Sequence, residues 1–445
     1  MKPAQSCFLP QNNMHLKVED EWSGAGLLST AQRLNAAFEE VVVSAFPDLP
    51  SGKVLEIDSD ASLADAVQLL GGNNILSAPV RDCSAPADSS WMDRYLGIID
   101  FSNIVLWVLD QSEAAKVGMV VGAIGSGGVA AGAIGALGAV VAGATPLGVA
   151  GGAALAATVV GTGFGVTAAV GPAKSGPQAV GAMGTGFFEA LTTSEFYKQT
   201  KVADIAGSFR WAPFLPVKPD DSLLTVLLLL SKYRIKSLPV VEPGEGQIKN
   251  FITQSAVIHF LSQCGGFTWF DTVGKQTLLE LGLPFMQPEK VVKVDEDSPV
   301  MEAFQLMRDT GVGGVPVVAN ASMKLMGNIS ARDLQFLLST PEIFKSYSLL
   351  TAGNFLEAVR TYLQSQGNVH GPLPNDPVSC TDKSTLLEII TKLDEAKIHR
   401  IYVLNPEGDL KGVVTLRDII STFVEEPLGY FKDFFAGVVP ATAFA

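Results

Sequence analysis

The chain has 445 residues, 47% of them apolar, enough to bury two or three cores. Its formal net charge is −14, from 31 Lys plus Arg against 45 Asp plus Glu, with no basic run or basic–aromatic interleaving, which excludes a nucleic-acid surface. Cys7, Cys83, Cys264 and Cys380 are scattered without CxxC spacing, so no zinc site is legible and free thiols in a reducing compartment are expected.

Residues 1–40 form an N-terminal segment. The first thirty residues mix charged and polar types without the apolar core of a secretory signal, and Glu19-Asp20-Glu21 argues against a plastid transit peptide. The expected location is the cytoplasm, with access to the nucleus. Ser29-Thr30-Ala31-Gln32 is a capping box for a helix through Glu40, whose Leu34 and Phe38 are expected to dock against the unit that follows.

That first unit spans 41–112. Leu63 to Leu70 reads as a helix, and Ser77-Ala78-Pro79-Val80 and Gly97-Ile98-Ile99-Asp100 read as strands. The long loop from Arg81 to Tyr95 carries Trp91, expected as a folded-back contact or as a partner anchor. An insert follows at 113–185. From Val117 to Ala173 it holds 16 Gly, 16 Ala and no charge. Three readings stay open: a low-complexity insert, which the glycine content favours, a membrane hairpin with small-xxx-small spacing, or a self-associating patch. Scarce Leu and Phe make a membrane span the weaker choice.

A second unit occupies 186–265, with Leu223 to Leu230 as a helix buried all round, then Ser237 to Val241 and Phe251 to Gln254. A third covers 275–340, and a connector at 341–374 holds a helix around Asn354 to Gln364. The fourth, 375–427, is the clearest. Asp382 or Ser384 caps a helix bearing Leu386, Ile390 and Leu393, Asn405-Pro406-Glu407-Gly408 is a turn between two strands, and Thr415-Leu416-Arg417-Asp418 opens a second helix. The tail, 428–445, is aromatic, with Tyr430, Phe431, Phe434 and Phe435 expected to pack back on the repeats or on a partner. The spacing from Pro239 to Thr253, Pro316 to Ser330 and Tyr402 to Thr415 is nearly fixed, which identifies a repeat architecture of the α/β class. None of His15, His259, His370 and His399 lies in a catalytic motif, and Gly125-Ser126-Gly127-Gly128 lacks the Lys of a phosphate loop, so no enzyme activity is expected.

The unit resembles the CBS (cystathionine-β-synthase) domain, and four of them resemble the γ subunit of AMP-activated kinases. Ile398-His399-Arg400-Ile401-Tyr402-Val403 and Thr415-Leu416-Arg417-Asp418 resemble that family's phosphate- and ribose-contacting segments. Val42 to Pro47, Phe209 to Leu215, Ile252 to Ser255 and Gly429 to Phe435 narrow the likeness to the plant-type γ regulatory subunit of sucrose-non-fermenting-related kinases. The resemblance implies repeats paired one with two and three with four, in two pseudo-symmetric modules of a flattened disc. It also implies a non-catalytic subunit of a heterotrimeric Ser/Thr kinase in energy and carbohydrate signalling. The partners would be a catalytic alpha and a scaffold beta subunit, and the ligand AMP, ADP or ATP. The charge-free insert departs from the family, which has a shorter polar linker there.

Within the resemblance, the hydroxyl–acid pairs Thr415/Asp418 and Ser330/Asp333 are candidate ribose contacts beside a helix N-terminus that suits phosphate. Thr253 keeps the hydroxyl but faces Ala256, and the first unit inverts the pattern with Asp100 and Asn103. The same Ser/Thr-x-x-Asp pattern is also a capping box, so capping alone is the alternative. His399 and Arg400, and in the second unit Lys236, are candidate phosphate contacts. The corresponding Gly313/Gly314 and Leu76/Ser77 supply no cation. Two rival functions remain: a CBS regulator of a membrane transporter or channel anchored by the Gly/Ala segment, and a purely structural subunit with decayed nucleotide sites.

Overall fold

The computed structural model describes residues 14–24, 28–49, 54–124, 185–206, 214–347, 349–367 and 377–431, apart from positions 87, 234, 243, 285, 287 and 321. The readings made for 125–173, for Phe209 to Pro213 and for Phe434 and Phe435 lie outside the described residues.

Each repeat is a small sheet flanked by helices. In the first, Ile57–Asp58 runs parallel to Ser77–Arg81, which pairs antiparallel with Tyr95–Asp100. The third repeats this with Val294–Asp295, Gly314–Val318 and Leu325–Ser330, and the fourth with Ser379–Cys380, Arg400–Leu404 and Leu410–Thr415. In the second, Ser237–Val241 pairs with Ile248–Thr253, and a bridge from Val217 to Val240 stands where the short parallel strand would be. All four hairpins shift register at the same step, after Val80, Val240, Val317 and Val403. Such bulges turn the end of a strand and add twist.

A sheet this small leaves two apolar faces open, and the neighbouring repeats cover them. On the sheet side, Val54, Tyr95 and Ile98 of the first repeat meet Val241, Ile248 and Phe251 of the second. Val291 and Val318 of the third meet Tyr402 and Leu410 of the fourth. On the helix side the partners change. Ile104, Val105 and Val108 of the first repeat share a core with Phe304, Met307 and Leu334 of the third. Leu227, Ile258 and Leu261 of the second share one with Ile389, Ile390 and Ile419 of the fourth. His259 Nδ1 lies 3.0 Å from Asp394 Oδ2, and Ser262 Oγ donates to the same oxygen at 2.8 Å, on the helices that join the second and fourth repeats. The helix Thr185–Thr193, grouped by sequence with the second repeat, packs Phe188 and Leu191 into the core of the first and third.

Leu223–Lys232 is buried at every position from Leu223 to Ser231, as its sequence requires, because it lies among its own sheet, the fourth repeat and the N-terminal helix Thr30–Glu40. The capping box at Ser29 forms as read, with Gln32 returning a bond. Its helix, Thr30–Glu40, does not dock on the first repeat as expected. Leu34 and Phe38 enter the core of the second and fourth, where Phe38 meets Trp269 edge-on at 5.6 Å. The reason is the chain ends. Met14–Gly24 buries Met14, Val18 and Trp22 on the same core. Tyr430 Oη bonds Glu39 Oε2 at 2.6 Å, Thr225 Oγ1 at 2.9 Å and Ser222 Oγ at 3.0 Å, so the described part of the tail packs back on this half. The helix of the fourth repeat is capped by Thr385 with Glu388, one or more residues beyond the expected Asp382 or Ser384. The carbonyls of Asp382 and Ser384 instead accept from Leu279 and Leu278, which fixes that stretch outside the helix. The connector helix forms as Ala352–Ser365. Trp91 folds back and stacks on Phe214 at 5.7 Å. Among the described residues no helix is long and apolar enough to cross a membrane.

Trp269 sits where these pieces meet. It is fully buried, against Phe38, Phe260, Phe270 and Phe423, and its indole N–H has no partner among the described residues. Trp269→Ala is expected to lower unfolding free energy by about 3–5 kcal/mol. Trp269→Phe keeps a ring and removes an orphaned donor, so it costs less. Urea unfolding of both variants checks this, and equal losses contradict it.

Candidate functional site

The ladder register places the start of each middle strand beside the end of the next. Ser77 faces Asp100, Ser237 faces Thr253, Gly314 faces Ser330 and Arg400 faces Thr415. A helical turn starts at once in every case; its first N–H, of Phe101, Gln254, Ala331 and Leu416, donates to the carbonyl of Leu76, Lys236, Gly313 and His399, and a side chain caps the turn. In the fourth repeat Thr415 N and Oγ1 donate to Asp418 Oδ2 at 2.8 and 2.7 Å. In the third, Ser330 N and Oγ donate to Asp333 Oδ2 at 2.7 and 2.8 Å. Both are capping boxes, as the alternative reading required. Every one of these bonds uses Oδ2. Oδ1 of both carboxylates takes no hydrogen bond among the described residues, so the cap leaves an acceptor unspent. In the second repeat Thr253 Oγ1 accepts from Ala256 N at 3.0 Å, with no acid behind it.

The cross-packing of repeats gathers charges from three of them. The imidazole of His399 lies in the fields of Arg332, Arg400 and Lys236, and Asp333 lies near both Arg332 and Arg400. His399 Nε2 is 2.9 Å from Ser255 Oγ, at the helix start of the second repeat. Arg400 reaches over the third repeat and donates to the Gly314 carbonyl. A Cβ on Gly314 would stand 2.8 Å from Arg400 Cζ, and one on Gly313 3.3 Å from Arg400 Nη2. The glycines that lack a cation of their own therefore admit the cation of the next repeat. Burial pushes the Asp333 carboxyl above its usual range, opposed by the Ser330 donors and by Arg332 and Arg400.

Arg332 was not legible as a site residue. Its Nη2 donates to Asn74 O at 2.8 Å, its Nε is buried without a partner among the described residues, and burial pulls its guanidinium below its ordinary value. An orphaned buried donor on a cation is costly, and an anion would relieve it. The only available signal was position: Arg332 lies two residues after Ser330, where the first two repeats carry Ser102 and Ser255. Ser330, Asp333, His399, Arg400 and Arg332 thus gather at one place, and Thr415 joins through its ladder pairing with Arg400. Lys236 faces a different partner: its Nζ lies 2.9 Å from Asp100 Oδ2 and 2.8 Å from Ser102 Oγ.

The charge centre has a pH signature. Burial first, and then Arg332, Arg400 and Lys236, lower His399 from 6.5 to about 4. Between those values the unfolded chain holds a proton that the folded chain refuses. The stability contributed by neutral His399 is complete above about pH 6.5 and is lost as pH falls toward about 4. The urea midpoint of the native chain should therefore fall more steeply than that of His399→Gln between about pH 7 and about pH 5. Parallel slopes contradict this.

The CBS domain family matches residues 202–263, 284–339 and 373–425. The first repeat lies outside those matches yet has the same ladder. A regulatory subunit of SNF1-related protein kinase, gamma-1, from Arabidopsis thaliana is 45% identical over 97% of this chain and 93% of its own. A gamma-1-like subunit from the same plant is 44% identical over 91% of this chain and 90% of its own. The gamma-3 subunit of 5'-AMP-activated protein kinase from Sus scrofa is 29% identical over 51% of this chain and 40% of its own. A crystal structure of an archaeal protein from Methanocaldococcus jannaschii matches with a TM-score of 0.50 over 85% of this chain and 98% of its own, at 14% identity, a likeness of fold. With its four CBS-type repeats, the chain belongs to the non-catalytic gamma regulatory subunits of plant SNF1-related protein kinases.

Proposed function

We propose that this subunit senses adenine nucleotide for a heterotrimeric Ser/Thr kinase, beside a catalytic alpha and a scaffold beta subunit. AMP, ADP or ATP binds in the half built from the third and fourth repeats. The observation that carries this reading is the pairing of unspent acceptors with unspent cations. Oδ1 of Asp333 and of Asp418 accepts from ribose hydroxyls while Oδ2 keeps its cap. Arg332 and Arg400 receive phosphate, whose negative charge answers the field those two create together, and neutral His399 beside them serves as a hydrogen-bonding group. Thr253 contributes a hydroxyl only. Because these groups come from different repeats, a bound phosphate favours one arrangement of the repeats over another, and that preference is what a kinase subunit docked on the surface reads. We place the protein in the cytoplasm with access to the nucleus, a reading supported by the unpaired thiols of Cys83, Cys264 and Cys380.

The test is titration calorimetry of the kinase-bound subunit with AMP, ADP and ATP, with melting recorded alongside. Asp418→Ala should weaken binding by roughly 1.5–3 kcal/mol, about ten- to a hundredfold. Loss of the cap should lower stability by about 1 kcal/mol as a separate effect. Lower melting with intact affinity reduces Asp418 to a cap. No binding of any of the three nucleotides by the native chain leaves a structural subunit.

A further inference from the structure

The first repeat breaks the pattern in a way that has an electrostatic consequence. At the position of Thr253, Ser330 and Thr415 it carries Asp100, an acid in place of a hydroxyl. The side chain is 5% exposed, and its two oxygens are committed in different directions. Oδ1 accepts from Asn103 N at 2.9 Å, and Asn103 Oδ1 returns the bond from Asp100 N at 2.9 Å, which caps the helix. Oδ2 holds the ammonium of Lys236 at 2.9 Å, and Ser102 Oγ completes the contact at 2.8 Å. Lys236 occupies in the second repeat the place that His399 occupies in the fourth, one residue before the middle strand.

Lys236 and Ser102 line a cavity with Arg308, over a floor that includes Val105, Met307 and Val312. The second cation there is also matched, since Arg308 pairs with Glu113 at 2.7 Å and with Asp309 at 2.9 Å. Each cation of this cavity has an acid of the same chain against it. The charge centre around His399 differs: there Arg400 meets a backbone carbonyl, and among the described residues Arg332 keeps a buried N–H without a partner.

We propose that Asp100 is a resident anion that takes the place of a ligand phosphate on Lys236, and that this ion pair keeps phosphate-bearing ligands out of the half built from the first and second repeats. The inference deepens the nucleotide reading, because it sets how many ligands one chain holds and where. An almost fully buried carboxylate facing a lysine is hard for a soluble phosphate to displace. Displacement would leave a carboxylate that is 5% exposed without its ammonium partner, an unfavourable state.

The isosteric Asp100→Asn removes the charge and keeps an oxygen for the Asn103 cap. Equilibrium dialysis of the full chain in its kinase complex, with radiolabelled AMP and separately with radiolabelled inorganic phosphate, counts the sites. Asp100→Asn should take up one further equivalent of each ligand relative to the native chain, and the double variant Asp100→Asn/Lys236→Met should return to the native count. An unchanged count in a normally melting Asp100→Asn overturns the proposal, as does a further equivalent that survives loss of Lys236. If Asp100→Asn folds poorly, Asp100→Ser, which installs the residue type of the third repeat, carries the same expectations. A native chain that binds no AMP defeats the reading of the third and fourth repeats, while the gain in Asp100→Asn still decides this one.

Discussion

Everything in this molecule follows from the size of the repeat. Two or three short strands and a pair of helices present one apolar face on the sheet and another on the helices, and one repeat covers neither. The sheet faces close first with second and third with fourth, through Tyr95, Phe251, Val318 and Tyr402. The helix faces close first with third and second with fourth. A unit that must bury two faces against two different neighbours gives a closed set of four, and the junction from last strand to second helix of each repeat then sits near the others.

That closure explains the charges. Cations on a solvated surface would repel weakly through water. Here the packing of the repeats' apolar faces draws Arg332, Arg400 and Lys236 together, and burial first, with these three cations adding to it, suppresses protonation of His399. The same closure decides which of these charges stays available. Lys236 finds an acid on the first repeat and is neutralised. Arg332 and Arg400 donate to the carbonyl oxygens of Asn74 and Gly314 and lie near Asp333, with no ion pair to it among the described residues. The capping boxes at Ser330 and Thr415 and the proposed ribose contacts coexist because a carboxylate has two oxygens and a cap uses one.

The repeat itself was legible because its signals are local. The Pro239–Thr253 and Pro316–Ser330 spacings are set by a hairpin of fixed register, and the Ser29 box is written within four residues. Burial of the Leu223–Leu230 run needed no knowledge of its neighbours. What failed was assignment of partners. The stripe of Leu34 and Phe38 shows that something covers it, but only the anchoring of Trp22 and Tyr430 on the second and fourth repeats shows what. Thr381-Asp382-Lys383-Ser384-Thr385 offers several capping residues in a row, and the choice of Thr385 depends on the segment around Leu278 taking the Asp382 and Ser384 carbonyls. In the candidate site, the hydroxyl–acid pairs and His399-Arg400 were legible as a pattern. The Lys236–Asp100 pair joins residues 136 apart and has no local signature. Gly313-Gly314 read as a missing cation, when it is the space that lets Arg400 in.

The central claim is that unspent charge on the third and fourth repeats, and not on the first, receives the nucleotide. Hydrogen exchange of the kinase complex with and without saturating AMP tests it most directly, since ligand contacts slow the opening of the backbone they touch. Protection is predicted at Ser330 to Asp333, at His399 to Tyr402 and at Thr415 to Asp418, with Asp100 to Asn103 unchanged. Protection greatest at Asp100 to Asn103, or none at the other three junctions, would contradict the account.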